Sequence, residues 1–480
     1  MSARRGEQVL QRWRDNPAEI WHRGRRVTDV TAEPGFAAAA ASIAELYDLQ
    51  WAEPEVMLFD SPDGGGKVGR SFLIPRTREE LLSVGRMMTR WAEHTGGMLG
   101  RTPDYLNRAV SAYAGSAPFL AQYDAQFAEN ARRYHRYLRD NDLCLTHALA
   151  HPQANRALSA ARQADPFLAA RVKEETDAGL VIRGARMLAT LPFADEIMVF
   201  PSVFLHSPEE DAPYAFAFIL PTATPGLKFV CRETVDYGRP PADHPLGARF
   251  EEMDAVVLFD DVFVPWEHVF LYRHVEACNR ASMATGALAQ MAYQVICKSI
   301  AKTGFLLGLV SLLAEAIGVE AFQHVQEKTT EIWVNLKVLE ALRHAAEAEA
   351  APNEFGVMTP AWPPLDAARN LYPRMYPRMV EIVQQIGAGG LVATPTLADL
   401  HGPLRAEVRR YFQSARLEAE ERIPLFRLAW DVALSAFGAR QVQYERFFFG
   451  DPVRLASHTF HTHDRTPYVE RVRAFLRRIP

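Results

Sequence analysis

Apolar residues recur at helical spacing through the first part of this chain. Between Glu79 and Thr95, Leu81, Leu82, Val84, Met87, Met88 and Trp91 share one stripe, which predicts an amphipathic helix. Phe127, Ala128, Ala131, Tyr134 and Leu138 predict a second. Two short apolar runs, Val56-Met57-Leu58-Phe59 and Ser71-Phe72-Leu73-Ile74, flank Ser61-Pro62-Asp63-Gly64-Gly65-Gly66 and read as a hairpin. From His147 to about Leu271 the pattern shortens. Val181-Ile182-Arg183, Ile197-Met198-Val199-Phe200, Tyr214 to Ile219, Leu227-Lys228-Phe229-Val230 and Ala255 to Phe259 are β-branched or aromatic and bounded by Pro, Gly, Asp and Thr. Strands at this spacing, with no helical pattern between them, predict an antiparallel barrel or sandwich. Asn279 to Gly318 and Glu320 to Glu349 then return to long, proline-free helical patterns. Four prolines between Pro352 and Pro364 interrupt them, and helix resumes near Ala367. The chain is therefore expected to be α+β and mainly α. Its expected units are a mostly helical 1–143, a β-barrel or sandwich over 144–271 and a helix bundle over 272–480, with no internal repeat or low-complexity segment.

Composition narrows the function classes. The chain has 480 residues, 48% hydrophobic and 23% charged, which is ordinary for a globular protein of two or three domains. A net charge of -5 argues against a nucleic-acid footprint, and the densest basic run, Arg23 to Arg26, reads as a solvated turn. Cys144, Cys231, Cys278 and Cys297 form no C-x-x-C, so neither zinc nor a redox pair is signalled, and so few cysteines fit a reducing compartment. Arg4, Arg5 and Glu7 are followed by no apolar stretch, so a secretory signal is not expected. The most apolar run, Thr303 to Ala314, is too short to cross a bilayer, and a cytoplasmic location without membrane contact follows as the default.

Three local motifs carry little chemistry. Gly64-Gly65-Gly66-Lys67-Val68-Gly69 matches G-x-G-x-x-G, but a dinucleotide site needs a helix opening at its end. Here Arg70 to Pro75 reads as a strand, so a hairpin loop is expected and no nicotinamide site. His458, His461, His463 and Asp464 could in principle hold iron, yet the segment is short and polar with no second shell marked, so no metal is expected. Gln385-Ile386-Gly387-Ala388-Gly389-Gly390 is explained equally by a turn between helices and by a backbone approach to an anion.

Five polar segments occur in a fixed order between about Trp21 and Ala474. They are Gly100-Arg101-Thr102-Pro103-Asp104-Tyr105, Asp142-Leu143-Cys144-Leu145-Thr146-His147, Arg183 to Thr190, Phe259 to Glu267, and Arg440-Gln441-Val442-Gln443-Tyr444-Glu445-Arg446-Phe447. The ordered series resembles the large oxygenase component of two-component 4-hydroxyphenylacetate 3-monooxygenases. The resemblance implies the acyl-CoA dehydrogenase fold, with a central antiparallel β-barrel between an N-terminal helical domain and a C-terminal helix bundle. It also implies an assembly into a homotetramer.

The same resemblance implies an activity. Reduced FAD (FADH2) arrives by diffusion from a separate NAD(P)H:flavin reductase and reacts with O2 to a C4a-hydroperoxide, which hydroxylates a para-substituted phenol ortho to its hydroxyl. Arg101, Tyr105 and His147 match residues that surround the phenol oxygen. The residue types suit that chemistry, because His can accept the phenol proton and a fixed Arg stabilises phenolate. His147, Ala148, Leu149, Gln153, Ala154, Asn155, Arg156, Thr190, Asp451 and Arg454 match positions that contact the flavin. Gln, Asn and Thr can both donate to and accept from an isoalloxazine edge.

Ser202-Val203 stands where relatives acting on hydroxyphenylacetate carry Ser-Thr near the acid arm. Val203 removes a donor, and Glu209, Glu210 and Asp211 would repel a carboxylate if their loop closes the pocket, which would favour tyramine or tyrosol. If the loop points into solvent, 4-hydroxyphenylacetate is the best substrate, and that is the reading adopted. Two rivals share the fold. A 4-hydroxybutyryl-CoA dehydratase would need clustered cysteines for an iron–sulfur cluster, and an acyl-CoA dehydrogenase would keep its FAD bound. A non-enzymatic helical scaffold would not need so many site-type residues in order.

Overall fold

The computed structural model describes residues 3–479 apart from Gln153, Ala189, 201–204 and Phe449. Helix begins where the chain supplies a cap. Thr77 Oγ1 accepts the Glu80 N–H at 3.2 Å while Glu80 Oε2 accepts the Thr77 N–H at 3.0 Å, a capping box that opens helix Arg78–His94. Its expected stripe is its core face, with Leu81, Val84, Met87, Met88 and Trp91 buried. The second expected helix is Ala125–Asp140, and between them lies Asp104–Gly115.

Among the described residues there are fourteen strands, in chain order β1 Glu19–His22, β2 Arg25–Val27, β3 Leu58–Asp60, β4 Lys67–Gly69, β5 Leu145–Ala148, β6 Arg171–Thr176, β7 Gly179–Leu188, β8 Glu196–Val199, β9 Phe216–Pro221, β10 Leu227–Cys231, β11 Ala255–Pro265, β12 Val269–Tyr272, and the two-residue pair β13 Ala351–Pro352 and β14 Met358–Thr359. The expected hairpin exists, but its second strand is β4, and Arg70–Phe72 is a 3-10 turn rather than strand. The glycine triplet is the loop of that hairpin, and only the 3-10 turn Arg70–Phe72, no α-helix, opens after it.

The large sheet corrects a further expectation. Its order is β12-β9-β8-β5-β7-β11-β10-β1-β2, with β6 also on β7. It is mixed rather than antiparallel, because β1 lies parallel to β10 and β5 parallel to β8. Among the described residues no pairing joins β12 to β2, so the path is open. The β1–β2 hairpin enters it from the chain's beginning, placing Ile20 and Val27 in the core. In β11 a register shift between Phe259 and Val262 accommodates Asp260 and Asp261. Those acids pair at the surface with Lys228, Arg183 and Lys173.

The long helical patterns break where glycine must take a left-handed backbone. Gly286, at φ 75°, divides Val275–Ala284 from Ala287–Ile317, which were expected as one helix. Gln323–Ala348 follows, and the next helix starts at Trp362 rather than Ala367, since prolines in a first turn forfeit no helical hydrogen bond. Its expected turn near Gln385–Gly390 is a kink at Ala388.

Ala287–Ile317 is long and apolar enough to cross a membrane, which the shorter run Thr303 to Ala314 did not suggest. In this fold it is the central helix of the bundle, packed on Arg78–His94, Asp104–Gly115, Gln323–Ala348 and Trp362–Val392. It carries buried Gln290, Gln294, Lys298 and Lys302 into that core. The packing is close enough that a Cβ on Gly85 would lie 2.0 Å from the Tyr293 hydroxyl.

Candidate active site

Arg101, Tyr105 and His147 come from two separate elements and meet in one place. Arg101 lies in the loop before helix Asp104–Gly115, Tyr105 in that helix's first turn, and His147 on β5, a strand buried along its whole length between β7 and β8. The three are 8%, 6% and 5% exposed, so all face the interior. Arg101 Nη1 is 2.9 Å from His147 Nε2, and the Tyr105 and His147 ring centres are 5.9 Å apart. Aromatic rings close the rest. The Arg101 guanidinium carbon lies 4.7 Å from the Phe448 ring centre and 5.8 Å from that of Tyr444, and Phe200 meets His147 edge-on at 5.7 Å.

The charges are unbalanced. Burial, and then the Arg101 cation, hold His147 well below the usual histidine range, so its imidazole is neutral. Since a guanidinium only donates, His147 Nε2 accepts from Arg101. Burial raises Tyr105 despite the opposing pull of Arg101, so its phenol keeps its proton. Among the described residues no carboxylate pairs with Arg101, and its Nε has no hydrogen-bond partner. The cluster presents a fixed cation, a neutral acceptor and a neutral donor with no anion of its own, which is the complement of a phenol passing to phenolate.

The loop carrying Arg101 is held by its backbone. Glu252 Oε1 accepts the N–H groups of Gly100 and Arg101 at 3.0 and 3.1 Å, and Glu252 Oε2 takes Arg440 Nη1 at 2.5 Å. On the same helix, Ala436–Phe447, the Gln441 amide donates to the Met98 carbonyl at 2.9 Å, and Tyr444 packs so tightly on Gly100 that a Cβ there would come within 2.4 Å of its hydroxyl. Glu445 locks this helix to the central one through buried Lys298 and Lys302, each at 2.6 Å. None of Glu252, Tyr444 and Phe448 was assigned a role from sequence. For Tyr444 and Phe448 the signal was their spacing from Arg440 at i+4 and i+8, one face of a helix; nothing local signals Glu252.

The residues expected at the flavin fall into two groups. Ala148 pairs with Leu188 across β5 and β7, Thr190 is buried and its carbonyl accepts the Thr146 hydroxyl, and the Leu149 carbonyl accepts Arg186 Nη1 at 2.6 Å. These adjoin His147. Ala154, Asn155 and Arg156 lie in an exposed loop, where Asn155 Oδ1 accepts the Ala157 N–H. Asp451 caps helix Pro452–Thr462 through the Val453 N–H, with Arg454 on the exposed side of that helix. Gln153, Ser202 and Val203 lie outside the described residues.

The acidic loop does not present three charges to a pocket. Asp211 is buried and accepts the His206 and Ser207 N–H groups at 2.7 and 3.0 Å, so it closes its own loop. Glu210 pairs with Arg162 at the surface, and Glu209 is exposed. The histidine motif near the C-terminus is also spread out. His463 pairs with Asp366 at 3.0 Å, and among the described residues no three His, Cys, Asp or Glu side chains gather as a metal site.

The donor set fits a reduced flavin. Buried Arg101 Nε and Tyr444 Oη have no partner beside an uncompensated cation, which suits a planar group with anionic character.

Comparison with known proteins agrees with this geometry. The family model described as 4-hydroxyphenylacetate 3-hydroxylase N terminal matches residues 5–271, and its C-terminal counterpart matches 278–477. The chain is 50% identical over 478 residues to the 4-hydroxyphenylacetate 3-monooxygenase oxygenase component of Thermus thermophilus, covering 99% of this chain and 98% of the relative. A crystal structure of such an oxygenase component, complexed with FAD and 4-hydroxyphenylacetate, superposes with a TM-score of 0.95 at 49% identity, covering 99% of this chain and 98% of that one. An archaeal 4-hydroxybutyryl-CoA dehydratase from N. maritimus has a TM-score of 0.90 at 19% identity over 100% of this chain and 96% of its own, a likeness of fold alone. With both family models matched in order across nearly its whole length, and with Arg101, Tyr105 and His147 gathered in one buried cluster, this chain belongs to the 4-hydroxyphenylacetate 3-hydroxylase family.

Proposed function

We propose that this protein is the oxygenase component of a two-component monooxygenase that converts a para-substituted phenol, 4-hydroxyphenylacetate for preference, to its catechol, 3,4-dihydroxyphenylacetate. The observation that carries this reading is the buried Arg101 cation, facing neutral His147 and protonated Tyr105 with no counter-anion. Arg101 Nη1 turns from His147 Nε2 to the phenol oxygen, to which Tyr105 also donates, and the freed Nε2 takes the phenol proton. Forming phenolate beside two cations offsets the cost of charging a buried imidazole. Electron density then rises at the ring carbon ortho to the oxygen, where the new C–O bond forms. Burial of the cluster and the rings of Tyr105, Phe200, Tyr444 and Phe448 keep water from the reacting atoms.

FADH2, delivered by an NAD(P)H:flavin reductase, supplies the electrons that activate O2. The residues that would hold it are His147, Ala148, Leu149, Gln153, Ala154, Asn155, Arg156, Thr190, Asp451 and Arg454. The loop geometry of Asp211, Glu210 and Glu209 supports the acid over tyramine, since the loop's charges are spent on its own backbone or turned to solvent. The division into 1–143, 144–271 and 272–480, a barrel-like closure of the central sheet and a cytoplasmic location belong to the same reading. Equilibrium dialysis without oxygen tests the cofactor assignment. FADH2 should bind more tightly than oxidised FAD; tighter binding of the oxidised form contradicts delivery by diffusion.

A homotetramer, built as a dimer of dimers, completes the reading. Helix Thr466–Leu476 buries none of its residues and exposes Tyr468, Val469, Val472, Phe475 and Leu476, and the bundle exposes Leu312, Phe322 and Trp333. So much unpartnered apolar surface marks an interface. Light scattering at micromolar concentration should give four times the 53.9 kDa chain mass, and a monomer would refute the assembly.

A further inference from the structure

Arg186 is a charge that the chain itself does not answer. Its side chain hangs from β7 and is wholly buried. Nη1 donates to the Leu149 carbonyl at 2.6 Å, while Nε and Nη2 have no hydrogen-bond partner. Among the described residues no carboxylate pairs with it, and a neighbouring group, the Cys278 thiol, is pushed up to about 12 by burial and is neutral. Burial brings Arg186 itself down only to about 9, so it stays cationic at neutral pH. His151 beside it is lowered to about 3 by burial and then by Arg186, so it is a neutral neighbour. The guanidinium carbon lies 5.2 Å from the Phe216 ring centre. A buried cation with two idle donors costs stability unless a ligand supplies the missing acceptors.

Its position gives the ligand's orientation. Leu149 follows His147 by two residues, about 7 Å along an extended chain, on the scale of a para-substituted phenol. The Phe200 ring contacts His147, and its N–H donates to the Ala148 carbonyl, so β5 and β8 run together from the phenol end toward Arg186. We propose that Arg186 is the carboxylate-binding residue of the substrate pocket, receiving the acid arm through Nε and Nη2 while Arg101, Tyr105 and His147 hold the phenol. This rests on the phenol-hydroxylase reading and adds the residue that selects an acid. A guanidinium suits the role because its two parallel N–H groups match the two carboxylate oxygens.

The test compares 4-hydroxyphenylacetate with tyrosol, which carries a neutral hydroxyethyl arm on the same phenol. In Arg186→Gln the acid-to-tyrosol ratio of kcat/KM should fall by at least about tenfold, the cost of a lost charged hydrogen bond, and Arg186→Lys should restore part of it. An unchanged ratio in a folded variant overturns the proposal. So does weaker FADH2 binding with an unchanged ratio, which would assign Arg186 to the flavin phosphates. Anaerobic binding to the wild-type FADH2 complex needs neither folding of a variant nor turnover. The acid should bind more tightly than tyrosol, and tyrosol more tightly than tyramine; equal affinities for the acid and tyrosol overturn the assignment. Absence of catechol from either phenol would instead count against the hydroxylase reading, leaving the binding order to judge Arg186.

Discussion

Arg101→Met should lower catechol yield by about two orders of magnitude, the scale for losing one preorganised donor to a developing oxyanion. Reduced flavin should still be consumed by oxygen, so hydrogen peroxide should rise as catechol falls. The substitution separates a chemical role from a structural one. Arg101 is buried without a counter-anion, so an apolar side chain of similar length should leave thermal stability unchanged or improved. Chromatography for catechol, a peroxide assay and a melting curve on one preparation check all three. Undiminished catechol, or a collapse in melting temperature that accounts for the loss, would remove Arg101 from the chemistry.

His147→Ala should slow hydroxylation at least about tenfold, the lower edge of what losing a general base costs. The pH dependence is more diagnostic. Burial, followed by Arg101, holds the imidazole well below its ordinary value of 6.5. A histidine must be neutral to accept a proton, so activity is lost only as pH falls through this depressed value. The acid limb of kcat/KM should therefore lie below the ordinary histidine range. In Arg101→Met one of the two causes is gone, so the limb should move up while burial still keeps it depressed. In His147→Ala it should vanish. A wild-type limb at the ordinary value would mean that His147 is not the proton acceptor.

Much of the architecture was legible because its hydrophobic spacing is regular. The stripe from Leu81 to Trp91 became one buried face, and the runs at 197–200, 227–230 and 255–259 became strands of one sheet, the last two side by side. Missed elements have weak local signals. β1 and β2 are short, with Arg25 and Arg26 exposed, so they read as a basic turn; Arg23 and Gly24, at φ 52° and 78°, are the left-handed pair of the hairpin turn between them. The parallel pairings that make the sheet mixed are long-range, and no local pattern encodes them. Gly286 was hidden in an alanine-rich run that favours helix on both sides.

The site divides the same way. Arg101, Tyr105 and His147 were found through ordered motifs, not through spacing, and they do converge. Glu252 was invisible because its backbone partners lie 152 and 151 positions away. Arg186 lies inside the Arg183 to Thr190 segment, but only its burial with Nε and Nη2 unpartnered sets it apart. The acidic loop left two readings open for the opposite reason, since sequence counts charges and structure shows where Asp211 spends its own.

The central claim is that this cluster directs one oxygen atom from O2 to the carbon beside a phenol hydroxyl. It is tested by mixing protein with chemically reduced FAD, 4-hydroxyphenylacetate and 18O2, with no reductase present, and weighing the product. The expected product is 3,4-dihydroxyphenylacetate carrying one 18O atom. Flavin oxidised with peroxide as the sole product, or a catechol whose new oxygen comes from water, would contradict it.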